Sequence, residues 1–172
     1  MICAYAIAMR ILGIDPGLRL TGYGLVEVIP GQIEPRLIEG GVLRLITSGT
    51  IEERLGRLHQ EITELIDELQ PQRMAIEKLF AHYKHPRTAI LMAHARGVIL
   101  LAARQKQLEV SNLPSTEVKK AITGYGHASK TQMQLAVQTQ CRLPEPPSPP
   151  DVADAIAIAL TDARRVALTM LR

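Results

Sequence analysis

The segment from Arg10 to Asp15 places the strongest constraint on how this chain can fold. Its residues from Ile11 to Ile14 show no alternation of apolar and polar side chains, which predicts a strand buried on both faces. Such a strand lies in the interior of a sheet that helices cover on both sides. An unpaired carboxylate costs several kcal/mol to bury, so Asp15 at the end of this strand is a candidate functional residue.

Composition supports one compact domain with an aliphatic core. The chain has 172 residues, of which 47% are hydrophobic and 22% charged, which is enough apolar material for a single core. Aromatic residues make up only 3%, and this suits a helix-covered sheet better than a β-sandwich. We predict one domain over residues 9–172, preceded by a dispensable extension over residues 1–8.

Charge and cysteine content bear on partners and compartment. The net charge of +3 is compatible with nucleic acid binding without requiring it. Cys3 and Cys141 have neither CxxC spacing nor a nearby His, so neither a zinc site nor a disulfide framework is indicated. The start lacks the basic residues of a secretory signal, and no apolar run reaches the roughly 18 residues of a membrane span. These features predict a cytoplasmic protein.

Apolar periodicity, together with Gly and Pro residues, divides the rest of the chain into strands and helices. The further predicted strands are Thr21–Ile29, Leu37–Ile46, Met74–Glu77 and Leu108–Leu113, and the predicted helices are Ile51–Leu69, Pro86–Gln105, Val118–Ile122, Ser129–Cys141 and Asp151–Met170. Three hairpin-linked strands followed by two strands reached through helices predict an α/β fold. We expect a five-stranded mixed sheet in the order 3-2-1-4-5, with helices on both faces and the fourth strand parallel to the first.

Three more acids recur in positions like that of Asp15. Glu77 ends the fourth strand, so it should lie roughly 5 Å from Asp15 on the neighbouring strand. Asp151 and Asp154 are three residues apart at the start of the last helix, which puts them on one face. Two carboxylates about 4 Å apart repel by roughly 4 kcal/mol at an effective dielectric near 20, so four converging acids need cations. Ligands that are all oxygen point to Mg²⁺ or Mn²⁺, and paired ions suit attack of water on a phosphodiester.

Each acid also has an ordinary structural explanation. Asp15 can stabilise a turn with Pro16 and Gly17, and Glu77 can form a surface ion pair with Lys78 or Arg73. Asp151 can be a helix N-cap, and Asp154 an acid of the first helical turn. Their joint occurrence at neighbouring ends of elements favours the metal site.

Several short segments, in order from Met9 onward, carry a resemblance to a known family. They are Gly13-Ile14-Asp15-Pro16-Gly17 with Thr21-Gly22-Tyr23-Gly24, Ala75-Ile76-Glu77-Lys78-Leu79-Phe80, Ala95-Arg96-Gly97, Val118-Lys119 with Gly124-Tyr125-Gly126-His127-Ala128-Ser129-Lys130, and Asp151-Val152-Ala153-Asp154-Ala155-Ile156-Ala157-Ile158-Ala159. In these segments the chain resembles the RuvC crossover-junction endodeoxyribonucleases.

The resemblance implies a ribonuclease H-like fold and a homodimer that cuts four-way Holliday junctions by symmetric paired nicks in DNA recombination and repair. It implies Mg²⁺ as cofactor, with two ions per site and Mn²⁺ as a substitute. It also implies a branch-migration motor of the RuvA and RuvB type as a partner. Two functions of other classes remain open from the residues: a non-catalytic junction-binding module, and an actin-like ATPase, against which the short length argues.

The resemblance also assigns site residues. The acids Asp15, Glu77, Asp151 and Asp154 match the metal-binding positions of the family. Lys119 and Lys130 match its two basic residues near the scissile phosphate, although either can be an ordinary solvated lysine. Phe80 matches an aromatic placed to stack on an unpaired base, although it can equally be a core residue.

Two further surfaces have candidate roles. The stretch from His82 to Arg87 is a candidate DNA-contacting loop through Lys84 and Arg87, with a flexible solvated loop as the alternative. The predicted helix Pro86–Gln105 is apolar around nearly all of its circumference, more than one face of a sheet can cover. Its second side can bury against another copy of the chain or pack under the last helix.

Overall fold

A five-stranded mixed sheet forms the centre of the molecule in a computed structural model that describes residues 8–45, 48–79 and 86–171. The strands, in chain order, are β1 Met9–Asp15, β2 Leu20–Val28, β3 Arg36–Arg44, β4 Arg73–Glu77 and β5 Glu109–Leu113. Their spatial order is β3-β2-β1-β4-β5; β2 is antiparallel to both β3 and β1, whereas β4 is parallel to both β1 and β5. The predicted order is therefore confirmed.

Five helices cover this sheet. They are α1 Ile51–Leu69, α2 Pro86–Gln105, α3 Ser115–Thr123, α4 Lys130–Cys141 and α5 Pro150–Met170. The capping boxes of Thr50 with Glu53 and of Ser129 with Gln132 define where α1 and α4 begin. Helix α3 begins three residues earlier than its predicted core, directly after Pro114. Within the described ranges no helix is long and apolar enough to cross a membrane.

Successive residues of β1 point into two different cores, as expected for a strand buried on both faces. Ile11 packs with helices α3, α4 and α5 on one face, whereas Leu12 and Ile14 pack with α1 and α2 on the other. Helix α2 lies chiefly against α1, and α5 belongs to the opposite core. The alternative in which α2 packs under the last helix is therefore wrong.

Glycines in β1 and β2 allow α5 to lie directly on the sheet. A side chain at Gly13 or Gly24 would collide with the backbone of α5 at Ala159 or Ile156. The beginning of α5 is thereby held close to the ends of these strands.

Some predicted features lie outside the described residues. These are residues 1–7 of the predicted extension, Ile46 of the predicted third strand, Phe80, and the loop residues His82–His85 with Lys84. That the first eight residues are dispensable stays a prediction.

Candidate active site

Three elements bring the four acids to one end of the sheet. Asp15 ends β1 and Glu77 ends β4. Ile14 is paired with Ile76 in these parallel strands, so the next residues, Asp15 and Glu77, lie side by side at the same end of the sheet. Gly22, the β2 partner of Asp15, lies against the backbone of Asp151, so the first turns of α5 cover the same end. The convergence expected from the sequence is present.

The acids are close enough to oppose one another's ionisation. Burial, and after it repulsion from Asp154, Glu77 and Asp151, together raise the pKa of Asp15 to about 8. Burial also raises the pKa of Glu77, and the charge of Asp154 raises it further. Burial likewise raises the pKa of Asp154, and the charge of Asp151 adds to that increase. Asp15 is therefore protonated near neutral pH unless positive charge compensates for the carboxylates.

Lys119 and Lys130 supply part of that positive charge. The charge of Lys130 lowers the pKa of Asp15 and that of Asp154, and the charge of Lys119 lowers that of Glu77 and that of Asp154. A hydrogen bond from Ser115 also favours the ionised form of Glu77. Both lysines that the resemblance singles out thus lie within electrostatic reach of the acids.

Two adjoining cavities open around this cluster. A cleft of about 1040 Å³ is lined by Asp15, Asp151, Asp154 and Lys130 among others. A smaller cavity of about 190 Å³ is lined by Glu77, Lys119, Asp154 and Lys130. Asp154 and Lys130 line both, so the two spaces form one candidate site.

The acids converge without forming a ready-made metal cage. Among residues 8–45, 48–79 and 86–171, no three His, Cys, Asp or Glu side chains are arranged so that they could hold a metal ion as they stand. The donor set nevertheless fits a hard cation, because such cations bind carboxylate oxygens. A cation would also relieve the repulsion by which these carboxylates raise one another's pKa. Closing these side chains on a cation requires rotation of the carboxylates and loss of the Asp15 proton.

The ordinary explanations for Asp151 and Glu77 are wrong. The N-cap of α5 is Pro149 and no side chain caps this helix, so Asp151 is not the cap. Arg73 forms ion pairs with Asp162 and Glu109 instead of Glu77, because its side chain lies at the opposite end of β4. No ion pair of Glu77 with Lys78 is found in the described part of the chain.

Sequence reasoning missed several residues around the site. Ser115 was not singled out, and neither were Arg19, Arg44 and Arg54, which line the large cleft. Arg87 was predicted to contact DNA; it is exposed at the start of α2, next to the cleft residue Thr88. The clustering of Arg19 and Arg44 depends on the pairing of β2 with β3, which short motifs do not reveal.

Without metal, the protein should lose stability as the pH rises. The pKa of Asp15 is about 8 in the folded chain, whereas its ordinary value is 3.8. At pH values between these two, Asp15 is protonated in the folded chain and ionised in the unfolded chain, so folding takes up a proton. The contribution of Asp15 to the free energy of unfolding should be largest below about pH 4 and fall by up to roughly 1.4 kcal/mol per pH unit until about pH 8. Urea unfolding in EDTA at several pH values tests this, with Asp15→Asn as the reference that lacks the group.

Added Mg²⁺ should then stabilise the protein more at pH 8 than at pH 5, because ligation needs ionised carboxylates. A free energy of unfolding in EDTA that is flat or rises from pH 5 to pH 8, and equals that of Asp15→Asn throughout, would contradict the predicted clustering of charge.

Gly22→Ala should impair the site while the fold persists. The added Cβ would collide with the carbonyl of Asp151, so the beginning of α5 must move away from Asp15. A displacement of about 1 Å can cost roughly 100-fold in rate, and we expect the DNA cleavage that the resemblance implies to fall by about 10- to 100-fold. Gly56→Ala is the matched control, since nothing lies near that position on α1, and it should keep the wild-type rate. Equal single-turnover rates for both variants would refute this account.

Comparison with known proteins agrees with the fold. The model of the family described as crossover junction endodeoxyribonuclease RuvC matches residues 11–162. The protein of that name from Rhodopirellula baltica is 49% identical over 155 residues, covering 89% of this chain and 85% of the relative. The one from Desulforamulus reducens is 44% identical over 156 residues, covering 91% and 94%.

Solved structures of Holliday junction resolvases have a similar fold. Thermus thermophilus RuvC in complex with a Holliday junction substrate superposes with a TM-score of 0.83 at 34% sequence identity, covering 94% of this chain and 97% of that one. The yeast mitochondrial Holliday junction resolvase has a TM-score of 0.70 at 12% identity, covering 94% and 80%, and shares the fold.

Proposed function

Since the chain belongs to the RuvC family of crossover junction endodeoxyribonucleases, we propose that it resolves four-way DNA junctions by hydrolysing a phosphodiester in each of two strands at the four-acid cluster. The observation that carries this proposal is the convergence of Asp15, Glu77, Asp151 and Asp154, from three elements, beside a cleft. Buried like charges are costly, and a folded chain retains them where function requires them.

Asp15, Glu77, Asp151 and Asp154 would hold Mg²⁺, for which Mn²⁺ can substitute, as a pair of ions. Bound there, the ions would neutralise charge on the phosphate and lower the pKa of a water molecule. The raised pKa of Asp15 fits this role, because a cation offsets the burial and the repulsion that keep Asp15 protonated. Oxygen-only ligation favours these ions over zinc.

Lys119 and Lys130 would hold the scissile phosphate and offset charge that develops on its oxygens. Both lie near the acids without forming an ion pair with them, as judged over the described residues. Their ammonium groups are therefore available to the substrate. Phe80 would stack on an unpaired base, and Lys84 and Arg87 would contact the DNA backbone.

The protein should act as a homodimer through the exposed face of α2. Ile90 and Leu101 are 56% and 52% exposed, and with His94 and Gly97 they form one stripe at helical spacing. A second copy across a two-fold axis would bury this stripe and present two sites to a two-fold substrate.

Leu101→Glu should convert the dimer into a monomer. A charge in an apolar interface is strongly unfavourable, so we expect the mass measured by light scattering to halve at micromolar concentration. Leu168→Glu, at a residue of α5 that is also 52% exposed, should remain dimeric. A wild-type mass that stays monomeric at every concentration would exclude the dimer.

Cleavage of a synthetic four-way junction and of linear duplex, each with Mg²⁺ and with EDTA, tests the proposed function. We expect paired, ligatable nicks in the junction with Mg²⁺ and none in EDTA or in the duplex. Junction binding without nicking would instead identify a non-catalytic binding module, and ATP hydrolysis without nicking an ATPase.

The partner and the compartment follow from the substrate. We propose that the dimer works with a branch-migration motor of the RuvA and RuvB type, in the cytoplasm, where chromosomal junctions arise. Addition of the motor proteins should increase the rate at which mobile junctions are cut.

A further inference from the structure

Three arginines that no motif singled out line one wall of the large cleft. Arg19 lies in the loop before β2, Arg44 ends β3, and Arg54 lies in the first turns of α1. The backbone brings the first two together, because Leu45 N–H donates to the Arg19 carbonyl at 3.1 Å. The cleft therefore has a basic wall that is separate from Lys119 in the smaller cavity.

These arginines carry charge that the described protein groups do not neutralise. Seven other basic side chains form ion pairs within the described part of the chain, namely Arg10, Arg36, Arg57, Arg73, Lys106, Arg164 and Arg165. Arg19, Arg44 and Arg54 form none within the described ranges, although Asp15, Asp151 and Asp154 line the same cleft. Among the described residues, the acids and the arginines that line the cleft are thus not paired with one another.

Arg54 carries an unused donor. Its Nη2 donates to the Leu18 carbonyl at 2.8 Å, which fixes the guanidinium against the loop that follows Asp15. Its Nε is buried and has no hydrogen-bond partner among the described residues. A buried donor without an acceptor costs about 1–3 kcal/mol, and more when it is charged, so a side-chain movement that brings Nε to a phosphate oxygen would be favourable. Guanidinium groups match the oxygens of a phosphate in bidentate geometry.

We propose that Arg19, Arg44 and Arg54 form a binding track for backbone phosphates that flank the scissile phosphate of the cut strand. This inference rests on the proposed function, because it takes DNA as the occupant of the cleft. The acids would contact the reacting phosphate, and the arginines would position the neighbouring ones without contacting reacting atoms. Such contacts carry no base sequence, so they would act on every junction alike.

Binding of a labelled four-way junction, measured by fluorescence anisotropy between about 50 mM and about 200 mM NaCl, tests the track. Ca²⁺ replaces Mg²⁺ so that binding is measured apart from cutting. The slope of log K against log salt is negative, and each lost phosphate contact should reduce its magnitude by about 0.9 on duplex DNA, or by about 0.7 on single strands. We expect this decrease for Arg19→Gln and Arg44→Gln, and for Arg54→Gln where it folds.

Arg57→Gln is the matched control. Arg57 lies one turn along α1 from Arg54 and is already paired with Glu61, so its loss should leave the slope unchanged. Because Arg19 and Arg44 are exposed, their variants should fold even if Arg54→Gln does not. Wild-type slopes for Arg19→Gln and Arg44→Gln, or an equal decrease for Arg57→Gln, would overturn the track. Failure of the wild-type protein to nick the junction with Mg²⁺ would overturn the proposed function instead, and the slopes remain a separate result.

Discussion

Asp15→Asn protein is expected to bind a four-way junction with wild-type affinity and to leave it uncut. The amide keeps the size of the side chain but removes the carboxylate whose pKa is raised by burial and by all three other acids. In the proposed mechanism Asp15 is a metal ligand, and its loss would weaken both neutralisation of the phosphate charge and activation of water, so we expect single-turnover cleavage to fall on the order of 10³-fold or more. Gel shifts and cleavage of the same labelled junction give the two readouts.

Asp67→Asn provides the comparison for that experiment. Asp67 is an exposed acid at the end of α1 that pairs with Lys106, and it is remote in the fold from the end of β1. Its variant should cut at the wild-type rate. Cleavage by Asp15→Asn within about tenfold of wild type, or equal losses in the two variants, would remove Asp15 from the proposed chemistry.

The sequence was most informative where local pattern alone determines structure. Helices α1 and α2 have the predicted bounds, because the apolar period is long and Pro71 and Pro86 limit where a helix can run. The central position of β1 followed from its continuous apolar run, which only a helix-covered sheet can bury. With that position fixed, the adjacency of Asp15 and Glu77 was a consequence of the parallel crossover.

Contacts between distant segments were the part that the sequence did not reveal. Arg73 was considered as a surface partner for Glu77, four residues away, whereas its ion-pair partner Asp162 is 89 residues away on α5. The unpaired arginines of the cleft were missed for the same reason, since isolated basic residues look like ordinary solvated side chains. One signal was present: Asp162 interrupts the apolar run Ala155–Ala163, where an acid requires a buried partner.

The ion pair of Arg73 with Asp162 fixes how α5 is aligned on the sheet. Asp162 is 1% exposed and accepts hydrogen bonds from Arg73 Nε at 2.6 Å and from Ser111 Oγ at 2.7 Å. Although burial lowers the pKa of Arg73, its hydrogen bonds to Asp162 and Glu109 raise it overall. Asp154 precedes Asp162 by eight helical residues, about 12 Å, and Glu77 follows Arg73 by four strand residues, about 13 Å. These matched lengths set the ion pair at one end of the sheet and the acids at the other.

Asp162→Ala should therefore be among the most destabilising single substitutions in the chain. Removing one member of a buried pair leaves the Arg73 charge without compensation, and we expect a loss of about 3–5 kcal/mol in the free energy of unfolding, measured with urea. Asp67→Ala, which breaks an exposed pair with Lys106, should cost less than about 1 kcal/mol. The double variant Arg73→Met with Asp162→Leu should regain most of the loss, because an apolar pair of similar volume needs no charge compensation. A cost below about 1 kcal/mol for Asp162→Ala would show that water reaches this pair and that the alignment of α5 is determined by the glycine contacts alone.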